Sequence, residues 1–476
     1  MMEIKRKFTH TLIQKNRIKL KMSVLKSINP ATEELFAEFK EIDLDAAEEI
    51  ISKSSASQKQ WSQLDIKDRS KIILNIGTLI TKDKESYAKI ITNEMGKPIS
   101  EAIGEVEKCV WLCEYYAENA SNFLGDQYID SDAKSSFVSF EPLGVILGVM
   151  PWNFPFWQVF RFAVPALLAG NSVLLKHASN VQASALAIEK IFHECDIPND
   201  AFRTLVVGSK MVPDIISNKH VSAVSLTGSE YAGSKVGECS GKNLKKTVLE
   251  LGGADPFIVM EDANLPNAID AAVKGRMLNN GQSCIAAKRF IVHSSIYDEF
   301  IDGLQNAFQE LKIGNPMDKE TAVGPLARAD ILEELDQQIQ NSIKSGATLI
   351  TGGSKIDGSG YFYRPTILTN ITKEMPVYHE ETFGPVFTVI KFKTTDEMIE
   401  IANDSEFGLG GSLWSENREE ALSIARKIET GAVFINAFTR SDPRLPFGGI
   451  KKSGYGRELS EFGIREFVNI KTIAVH

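Results

Sequence analysis

The central part of the chain alternates short apolar runs with helix-like segments, and this alternation restricts the fold most. The run at 144–150, GVILGVM, has the length and apolar character of a buried strand, and a helical pattern follows over 159–169. The pattern then continues as a strand at 172–176, a helix at 183–194, a strand at 204–207, a helix at 212–217 and a strand at 221–226. Apolar strands that alternate with helices are typical of a parallel sheet covered on both faces. We therefore predict an α/β fold.

A second series of strand-like and helical segments follows Gly253. The region from 43 to 124 is helical in pattern, whereas 436–456 is rich in Gly, Pro and charge and is predicted to be a long ordered loop. At 476 residues the chain exceeds one ordinary core, so we expect two α/β domains. The second series comprises a helix at 264–279, a strand at 290–292, a helix at 296–311, a strand–helix pair at 386–403 and a strand at 431–436.

Composition and charge argue against several classes of protein. The hydrophobic fraction of 43% and the charged fraction of 24% are ordinary for a globular protein. A net charge of -9 argues against nucleic acid as the main partner, and no apolar stretch is long enough for a membrane span. The five Cys residues are odd in number and lack metal-binding or disulfide spacing. We therefore expect no metal site and a reducing, cytoplasmic compartment.

The first 22 residues differ from the remainder of the chain. They contain seven Lys or Arg and one acid, Glu3, but no Ser and no continuous apolar segment. A transit peptide is also basic and poor in acids, so it is one interpretation. We favour the other, a disordered basic leader at 1–22 that precedes the folded chain.

Cys284 and Glu250 are the leading candidates for catalysis. Cys284 ends the run GQSC at 281–284, and Glu250 opens the run ELGG at 250–253. A deprotonated thiol is a strong nucleophile, and a nearby carboxylate can activate water against whatever the thiol has captured. Taken alone, the pair is better explained by a buried structural Cys and a solvated Glu. The interpretation therefore depends on the surrounding motifs.

Three further motifs stand at the ends of predicted strands, where open parallel sheets bind their ligands. Asn153, in the rigid turn PWNFP at 151–155, could donate its side-chain amide to an oxyanion, or it could simply form the turn. The run TGSEYAG at 227–233 would bring backbone N–H groups close to a phosphate, or it could only begin a helix. Lys176 could bind a ribose or a phosphate, or it could be a solvated strand end.

Together these motifs resemble those of the aldehyde dehydrogenase family. The set occurs in order from about residue 29 to the C-terminus and includes EETFGP at 380–385 and PFGGIK at 446–451. The resemblance implies a homodimer or homotetramer. The implied fold has a Rossmann-like cofactor domain at 23–122 and 142–252, an α/β catalytic domain at 253–464, and a small β oligomerisation element at 123–141 and 465–476.

The resemblance also implies a role for each candidate residue. Cys284 would attack an aldehyde carbonyl, and the Cys284 backbone N–H and the Asn153 amide would hold the oxyanion of the thiohemiacetal. Hydride transfer to a nicotinamide would leave a thioester, and Glu250 would activate the water that hydrolyses it. The resemblance implies that Lys176 takes part in catalysis and also binds the cofactor. The implied cofactor-binding residues are Pro151, Trp152, Lys176, Ser179, Gly208, Gly228, Ser229, Gly233, Leu251, Glu381 and Phe383.

Ser179 departs from the pattern of NAD-preferring relatives. Many of these carry a Glu three residues after the strand-ending Lys, where it binds the adenosine ribose, and this chain has Ser179 instead. A carboxylate would repel a 2′-phosphate, whereas a hydroxyl would not. We therefore predict the use of both NADP and NAD, with NADP at least competitive and Lys176 available to pair with its phosphate.

Two residues indicate an aldehyde that carries a carboxylate at its far end. Arg161 lies eight residues after Asn153, and Ser441 precedes the PFGGIK run; the family's succinate-semialdehyde dehydrogenases have an Arg and a Ser at these places. A guanidinium can engage both oxygens of a carboxylate. The alternative for Arg161 is a structural ion pair, which its apolar helix makes less favoured. Arg440 and Arg444 are further cationic candidates.

The predicted activity is the NAD(P)-dependent oxidation of succinate semialdehyde to succinate. The main alternative is an aldehyde dehydrogenase for glutarate semialdehyde or for aliphatic aldehydes. A CoA-acylating relative would not need Glu250 to activate water. A non-catalytic structural or binding protein on this fold would not need Cys284, Glu250 and Asn153 together.

Overall fold

The computed structural model describes residues 23–476, and the predicted basic leader lies outside the described residues. Within this range no helix is both long and apolar enough to cross a membrane. Strands Val24–Ile28 and Leu35–Lys40 form an antiparallel hairpin at the start. The helical region predicted for 43–124 is confirmed as Leu44–Trp61, Ile66–Met95 and Ile99–Phe123.

The first sheet has six strands, and strand Val145–Met150 lies between Ser172–His177 and Val221–Thr227. After Val145–Met150 the chain forms the next two strands on one side of that strand. It then returns to form Val221–Thr227 on the opposite side. Such a switch point opens a crevice beyond the carboxyl ends of the two strands, where the PWNFP turn follows Met150. Only Gly454–Tyr455, at one edge of the sheet, pairs antiparallel with its neighbour. From that edge to the other the strands are Gly454–Tyr455, Lys246–Glu250, Val221–Thr227, Val145–Met150, Ser172–His177 and Phe202–Thr204.

Helices pack closely against this sheet. A Cβ atom on Gly148 would lie 2.2 Å from the ring of Phe162, so the glycine in GVILGVM lets the helix after the PWNFP turn approach the strand. Fully buried apolar side chains on both elements show that the strand is covered, as its apolar pattern predicts. The helices that follow the strands of this sheet are Trp157–Leu168, Gln182–His193, Val212–Ser217 and Glu230–Lys242.

The second sheet has seven strands and confirms the second α/β series. In order they are Thr348–Thr351, Thr366–Thr369, Val386–Phe392, Arg289–His293, Pro256–Val259, Ser412–Trp414 and Phe434–Ile435, with only the first pairing antiparallel. The accompanying helices are Leu265–Met277, Tyr297–Gln309, Ala329–Lys344, Pro376–His379, Thr395–Asn403 and Arg418–Ala425.

Three predicted segments have different bounds in the structure. The strand placed at 204–207 is Phe202–Thr204, because the Val207 N–H bonds to the Leu205 carbonyl and closes a turn. The strand predicted at 431–436 comprises only Phe434–Ile435 in the structure. The segment 436–456 is not only a loop, since it contains Ile450–Lys451, which pairs with Phe407–Gly408, and Gly454–Tyr455, which adds to the first sheet.

A separate three-stranded sheet joins the C-terminus to the middle of the chain. Strand Val468–Val475 pairs antiparallel with Ser135–Pro142 along its whole length, and Gln127–Tyr128 pairs on the other side of Ser135–Pro142. A short helix, Ser460–Ile464, precedes the last strand. These strands lie in the segments predicted as the oligomerisation element, and the domain bounds themselves stay a prediction.

Candidate active site

Two cavities meet at Cys284. The first, about 490 Å³ and here called the crevice cavity, lies at the switch point of the first sheet. The second, about 230 Å³ and here called the cation cavity, is lined by Cys284 and by more basic than acidic side chains; the basic ones are Lys97, Lys108, Arg161 and Arg440, and the acidic ones are Glu101 and Glu105. The predicted site residues that line the crevice cavity are Pro151, Trp152, Asn153, Gly228, Ser229, Leu251, Cys284, Glu381 and Phe383.

The crevice cavity has the features of a pyrophosphate site at a helix N-terminus. Ser229 is the N-cap of helix Glu230–Lys242, and its Oγ accepts a hydrogen bond from the Ala232 N–H at 3.3 Å. The positive end of the helix dipole therefore faces the cavity, as binding of a dinucleotide phosphate requires. Gly233 does not line the cavity; a Cβ there would lie 2.6 Å from the Leu251 side chain, so this glycine lets the helix pack against Leu251.

At the other part of the crevice cavity, a carboxylate and two aromatic rings lie near Cys284. Glu381 Oε1 accepts a hydrogen bond from the Gly253 N–H at 3.0 Å and forms an ion pair with Lys288 at 3.2 Å. Its other oxygen makes no hydrogen bond within the described residues and could accept one from a ribose hydroxyl. Trp152 and Phe383 make an edge contact with ring centroids 5.7 Å apart and form an apolar wall of the cavity.

Lys176, Ser179 and Gly208 lie away from both cavities. Lys176 is buried at the end of strand Ser172–His177, and burial lowers its pKa while the Glu41 carboxylate opposes this. A Cβ on Gly208 would lie 2.8 Å from a Glu41 carboxylate oxygen, so Gly208 and Lys176 are neighbours of the same acid. Ser179 is exposed. These positions suit the adenosine end of a dinucleotide, and the structure does not bring Lys176 to the nucleophile.

The nucleophile loop is held in an unusual backbone conformation. Asn279 and Asn280 both adopt left-handed φ values, 56° and 58°, which Asn tolerates better than most residues. The Asn279 side chain donates to the Asn153 carbonyl at 2.7 Å and to the Gln282 carbonyl at 3.0 Å. Its backbone N–H donates to Glu101 at 2.6 Å. These bonds tie the PWNFP turn to the GQSC run.

The donors predicted for an oxyanion hole are available. Asn153 Nδ2 donates to the Gln282 carbonyl at 3.2 Å, which leaves its second N–H without a partner in residues 23–476. The Cys284 backbone N–H likewise donates to no residue in this range. Burial raises the pKa of the Cys284 thiol to about 12, although Lys288 and Arg161 oppose the rise. The site therefore holds a thiol that needs a proton acceptor before it can react.

Glu250 is buried beside other ionisable groups. Neither of its carboxylate oxygens has a hydrogen-bond partner among the described residues, and it lines neither cavity. Burial raises the pKa of Glu250 well above its usual range, and the Glu458 carboxylate raises it further. A Cβ on Gly448 would lie 2.6 Å from Glu250 Oε1, so the glycine leaves the carboxyl group its space. A carboxylate with a raised pKa is a suitable general base near neutral pH.

Arg161 forms the structural ion pair that the sequence analysis considered less favoured. Its Nε contacts the Glu458 carboxylate, its terminal nitrogen lies 3.4 Å from Thr227 Oγ1, and its guanidinium lies 4.6 Å from the Phe447 ring centroid. The apolar residues around Arg161 gave no indication of this ion pair, because Glu458 comes from a distant part of the chain. Arg161 also lines the cation cavity, so it remains available to a ligand there.

The remaining predicted substrate residues differ in their positions. Ser441 lines the cation cavity, and its Oγ accepts a hydrogen bond from Lys108 Nζ at 2.7 Å. Arg440 also lines it and is exposed. Arg444 forms two hydrogen bonds with Asp442, at 2.7 and 2.9 Å, and does not line the cavity. Arg444 is therefore a poor candidate for a substrate contact.

Five residues near the site were missed by sequence reasoning. None belongs to a run with a recognisable chemical role, and each acts through a partner far away in the chain. For example, Asn279 and Glu101 are 178 residues apart. Asn279 and Asn280 directly precede the GQSC run, so an Asn–Asn pair before a glycine was the one local signal of a strained turn. The missed residues are Glu101, Lys108, Asn279, Lys288 and Glu458.

The chain is similar to known proteins over nearly all its length. A family model described as the aldehyde dehydrogenase family matches residues 19–473. A probable succinate-semialdehyde dehydrogenase [NADP(+)] of Synechocystis is 47% identical, with 94% of this chain and 98% of the relative covered. Succinate-semialdehyde dehydrogenase [NADP(+)] 1 of Mycobacterium tuberculosis is 46% identical over the same shares.

Solved structures give the same result. The succinic semialdehyde dehydrogenase of Streptococcus pyogenes, solved with NADP+ as the cofactor, superposes with a TM-score of 0.93 at 40% identity. The match covers 95% of this chain and 99% of that one. The structure of Gox0499 has a TM-score of 0.94, also at 40% identity, and covers 96% of this chain and 100% of that one. The protein described here is a member of the aldehyde dehydrogenase family.

Proposed function

We propose that this enzyme oxidises succinate semialdehyde to succinate with NADP. The observation that carries the proposal is the cation cavity, where Cys284 shares the wall with Lys108, Arg161 and Ser441. Its volume of about 230 Å³ is smaller than the roughly 300 Å³ or more of drug-sized ligand pockets, so it suits a short substrate. Cations near a nucleophile favour an aldehyde that carries its own negative charge. Relatives that are named for this reaction support the choice.

In the first half of the reaction, the Cys284 thiol gives its proton to solvent water, and its Sγ bonds to the aldehyde carbon. The carbonyl oxygen becomes an oxyanion, which the free N–H of Asn153 and the Cys284 backbone N–H would stabilise by hydrogen bonds. A bound nicotinamide supplies the hydride acceptor when the aldehyde carbon is oxidised. The product of this half is a thioester on Cys284.

In the second half, water attacks the thioester carbonyl while Glu250 accepts a proton from the water. The C–S bond breaks, the proton on Glu250 passes to the Cys284 sulfur, and the carboxylic acid leaves. Glu250 lines neither cavity, so its side chain must turn toward Cys284 for this step. It has no hydrogen bond to break when it turns, since both oxygens lack a partner among the described residues.

The dinucleotide would lie across the crevice cavity. Gly228, Ser229 and the start of helix Glu230–Lys242 suit its pyrophosphate, and Glu381 and Phe383 its nicotinamide half. Its adenosine half would reach Lys176, Ser179 and Gly208, where no Glu stands at position 179 to repel a 2′-phosphate. We propose NADP as a cofactor on this ground and expect that NAD is accepted as well.

The test follows the absorbance at 340 nm when the purified protein is mixed with an aldehyde and either NADP or NAD. We expect a higher kcat/KM for succinate semialdehyde than for butanal, which has the same chain length without the carboxylate. A higher kcat/KM for glutarate semialdehyde or butanal would support the alternative specificities. No signal with either cofactor would support a non-catalytic protein, and a large preference for NAD over NADP would contradict the cofactor proposal.

We further propose a homo-oligomer that works in the cytoplasm. The three-stranded sheet formed by Gln127–Tyr128, Ser135–Pro142 and Val468–Val475 exposes apolar side chains that a second copy could cover. The five cysteines are all free thiols, which suits a reducing compartment. Fractionation of cells that make the protein at its native level would test the location.

A further inference from the structure

Lys288 is a buried cation that contacts both the GQSC run and the Glu381 carboxylate. Its Nζ donates hydrogen bonds to the backbone carbonyls of Ser283, at 2.9 Å, and of Cys284. The same Nζ lies 3.2 Å from Glu381 Oε1, in the only ion pair that Lys288 forms within residues 23–476. An ammonium group has three N–H donors, and these three oxygens can accept all of them. One side chain therefore bridges the nucleophile and the carboxylate.

Two glycines of the ELGG run leave the space for this bridge. A Cβ on Gly253 would lie 2.8 Å from the Cys284 carbonyl oxygen, and a Cβ on Gly252 would lie 2.5 Å from Glu381 Oε2. The Gly253 N–H donates to Glu381 Oε1 at 3.0 Å, so Lys288 and this N–H hold the same oxygen. Glu381 Oε2 makes no hydrogen bond within the described residues and is left for a ligand.

The charge of Lys288 acts on the groups around it. Burial raises the pKa of the Cys284 thiol and Glu381 adds to the rise, whereas Lys288 opposes it. Asp255 is the other carboxyl group under its influence: burial raises the pKa of Asp255 to about 6, and Lys288 opposes that rise as well. Asp255 has a different partner, because its Oδ1 accepts a hydrogen bond from the Gly410 N–H at 3.0 Å. Glu381 is therefore the carboxylate that depends on Lys288 for its position.

We propose that Lys288 is a positioning residue that holds Glu381 in the orientation that binds the nicotinamide ribose and fixes it relative to Cys284. Hydride transfer requires the nicotinamide to lie beside the carbon that is bonded to Cys284, so a direct link between the two sites favours the reaction. This inference rests on the proposed function, because that function makes Cys284 the nucleophile and Glu381 the ribose ligand.

The first experiment measures the Kd for NADP by titration calorimetry in the full-length protein. The stoichiometry of the titration gives the folded fraction, so the Kd does not depend on it. In Lys288→Met we expect the Kd to rise by about tenfold, the loss expected for a charge-assisted hydrogen bond. Because Lys288 acts through Glu381, the double variant Lys288→Met/Glu381→Gln should bind NADP within about threefold of Glu381→Gln alone.

A second readout separates the thiol from the cofactor site. Hydrolysis of p-nitrophenyl acetate needs a thiol and water but no dinucleotide, so it reports on Cys284 without Glu381. The ratio of kcat/KM for aldehyde oxidation to kcat/KM for this ester should fall by about tenfold in Lys288→Met. Both reactions use the same thiol, so a change in its pKa or in the folded fraction leaves the ratio unaltered.

Lys245→Met is the matched control. Lys245 Nζ also donates to two backbone carbonyls, those of Ile216 and Asn218, but Lys245 lines neither cavity. Its Kd for NADP and its ratio should equal those of the wild type. If Lys288→Met does not fold, Lys288→Gln keeps an N–H donor for the backbone carbonyls without the charge, and it should show the same two changes.

The possible outcomes distinguish this inference from the proposed function. Losses in Kd that multiply in the double variant would show that Lys288 does not act through Glu381, and they would overturn the inference alone. An unchanged Kd and ratio in Lys288→Met would do the same. A wild type that oxidises butanal but not succinate semialdehyde would contradict only the proposed function, because the ratio can be measured with butanal. A wild type that binds neither NADP nor NAD would overturn both.

Discussion

Glu250, Glu458 and Arg161 form a buried cluster of two acids and one base at the active site. The Arg161–Glu458 ion pair leaves the cluster with one carboxyl group, Glu250, that has no cation of its own. Burial and the Glu458 carboxylate both raise the pKa of Glu250, whereas Arg161 and Arg457 lower it. Removing any one member of the cluster must therefore change the protonation of the others.

Replacing Glu458 by Gln should move the acid limb of the pH profile of kcat to lower pH. The change removes a negative neighbour of Glu250 and frees Arg161, and both effects lower the pKa of Glu250. Because Glu250 is proposed to act as a base in its deprotonated form, the variant should keep its turnover at a lower pH than the wild type. The measurement is steady-state kcat from about pH 5 to pH 9 in the wild type and in the variant, and the acid limbs of the two profiles are compared.

Glu461→Gln is the control for this shift, since Glu461 is a more exposed acid paired with Arg465. The loss of one partner from a buried ion pair costs about 3–5 kcal/mol, so the Tm of Glu458→Gln should also fall. An acid limb that stays where it is, in a folded variant, would show that Glu458 does not influence the base that limits turnover.

Replacing Ser179 by Glu should increase the preference of the enzyme for NAD over NADP. The new carboxylate would stand at the exposed end of the strand-ending turn, next to the place proposed for the 2′-phosphate. Two unit charges about 4 Å apart in water repel by about 1 kcal/mol, which corresponds to about fivefold, so kcat/KM for NADP should fall by about fivefold or more. Ser179→Ala removes the hydroxyl without adding charge and is the control. Equal losses with NADP and NAD would contradict the assignment.

Four runs that were singled out in the sequence, those that hold Asn153, Ser229, Cys284 and Glu381, all reach the crevice cavity. Two of them directly follow parallel strands of the first sheet, Val145–Met150 and Val221–Thr227, where ligand sites of such sheets are expected. The ion pair of Arg161 was not predicted, since Glu458 is almost 300 residues away in sequence (458 less 161 is 297). Pairing of this kind depends on tertiary structure alone.

At the scale of elements, one buried carboxylate joins two helices and the first strand. Glu94, near the end of helix Ile66–Met95, accepts hydrogen bonds from the backbone N–H groups of Ala183 and Ser184 at 2.8 Å each. It also accepts from the hydroxyls of Ser184 and Ser27, at 2.7 Å each. The side chain therefore caps helix Gln182–His193, which has no capping side chain of its own.

Replacing Glu94 by Gln should destabilise the protein more at pH 5 than at pH 8. Burial raises the pKa of Glu94 from 4.5 to about 7, so the folded state binds a proton more tightly than the unfolded state does. This contribution to stability is present below the unfolded pKa and is lost as pH rises through about 7. The measurement is the Tm difference between wild type and Glu94→Gln at the two pH values.

Glu107→Gln is the control for Glu94, because Glu107 is exposed on the neighbouring helix and forms a surface ion pair with Lys84. We expect it to change Tm little, as exposed ion pairs contribute about 1 kcal/mol or less. A Glu94→Gln variant whose Tm deficit grows between pH 5 and pH 8 would contradict the raised pKa.

The order of the strands and helices followed from apolar runs, but the ends of some elements did not. GVILGVM was recognisable because both faces of its strand are covered, so nearly every side chain is apolar. The strand at Gly454–Tyr455 was missed, since it is two residues long and forms only because the chain returns to the edge of the first sheet. Short edge strands are defined by their partner and not by their own sequence.

At the scale of the whole molecule, the sheet that contains the C-terminus is the part of the fold least supported by its own chain. Strand Val468–Val475 is exposed over most of its residues, and its partner Ser135–Pro142 is only half-buried. A sheet of two or three strands with little cover is marginal in water. Exposed apolar side chains also lie on it: Tyr128, Ile129, Ile470 and Val475. A second copy of the chain would bury them.

Replacing Ile470 by Lys should therefore dissociate the proposed homo-oligomer toward a monomer. Ile470 is 63% exposed in the single chain, so the monomer should tolerate the charge, whereas an interface would have to desolvate it. We expect the Kd for association to rise by about 100-fold or more, measured by sedimentation over a range of protein concentrations. Leu244→Lys is the control, because Leu244 is 95% exposed and lies outside this sheet. A wild type that is monomeric at micromolar concentration, or an Ile470→Lys variant that associates like Leu244→Lys, would show that this sheet is not the interface.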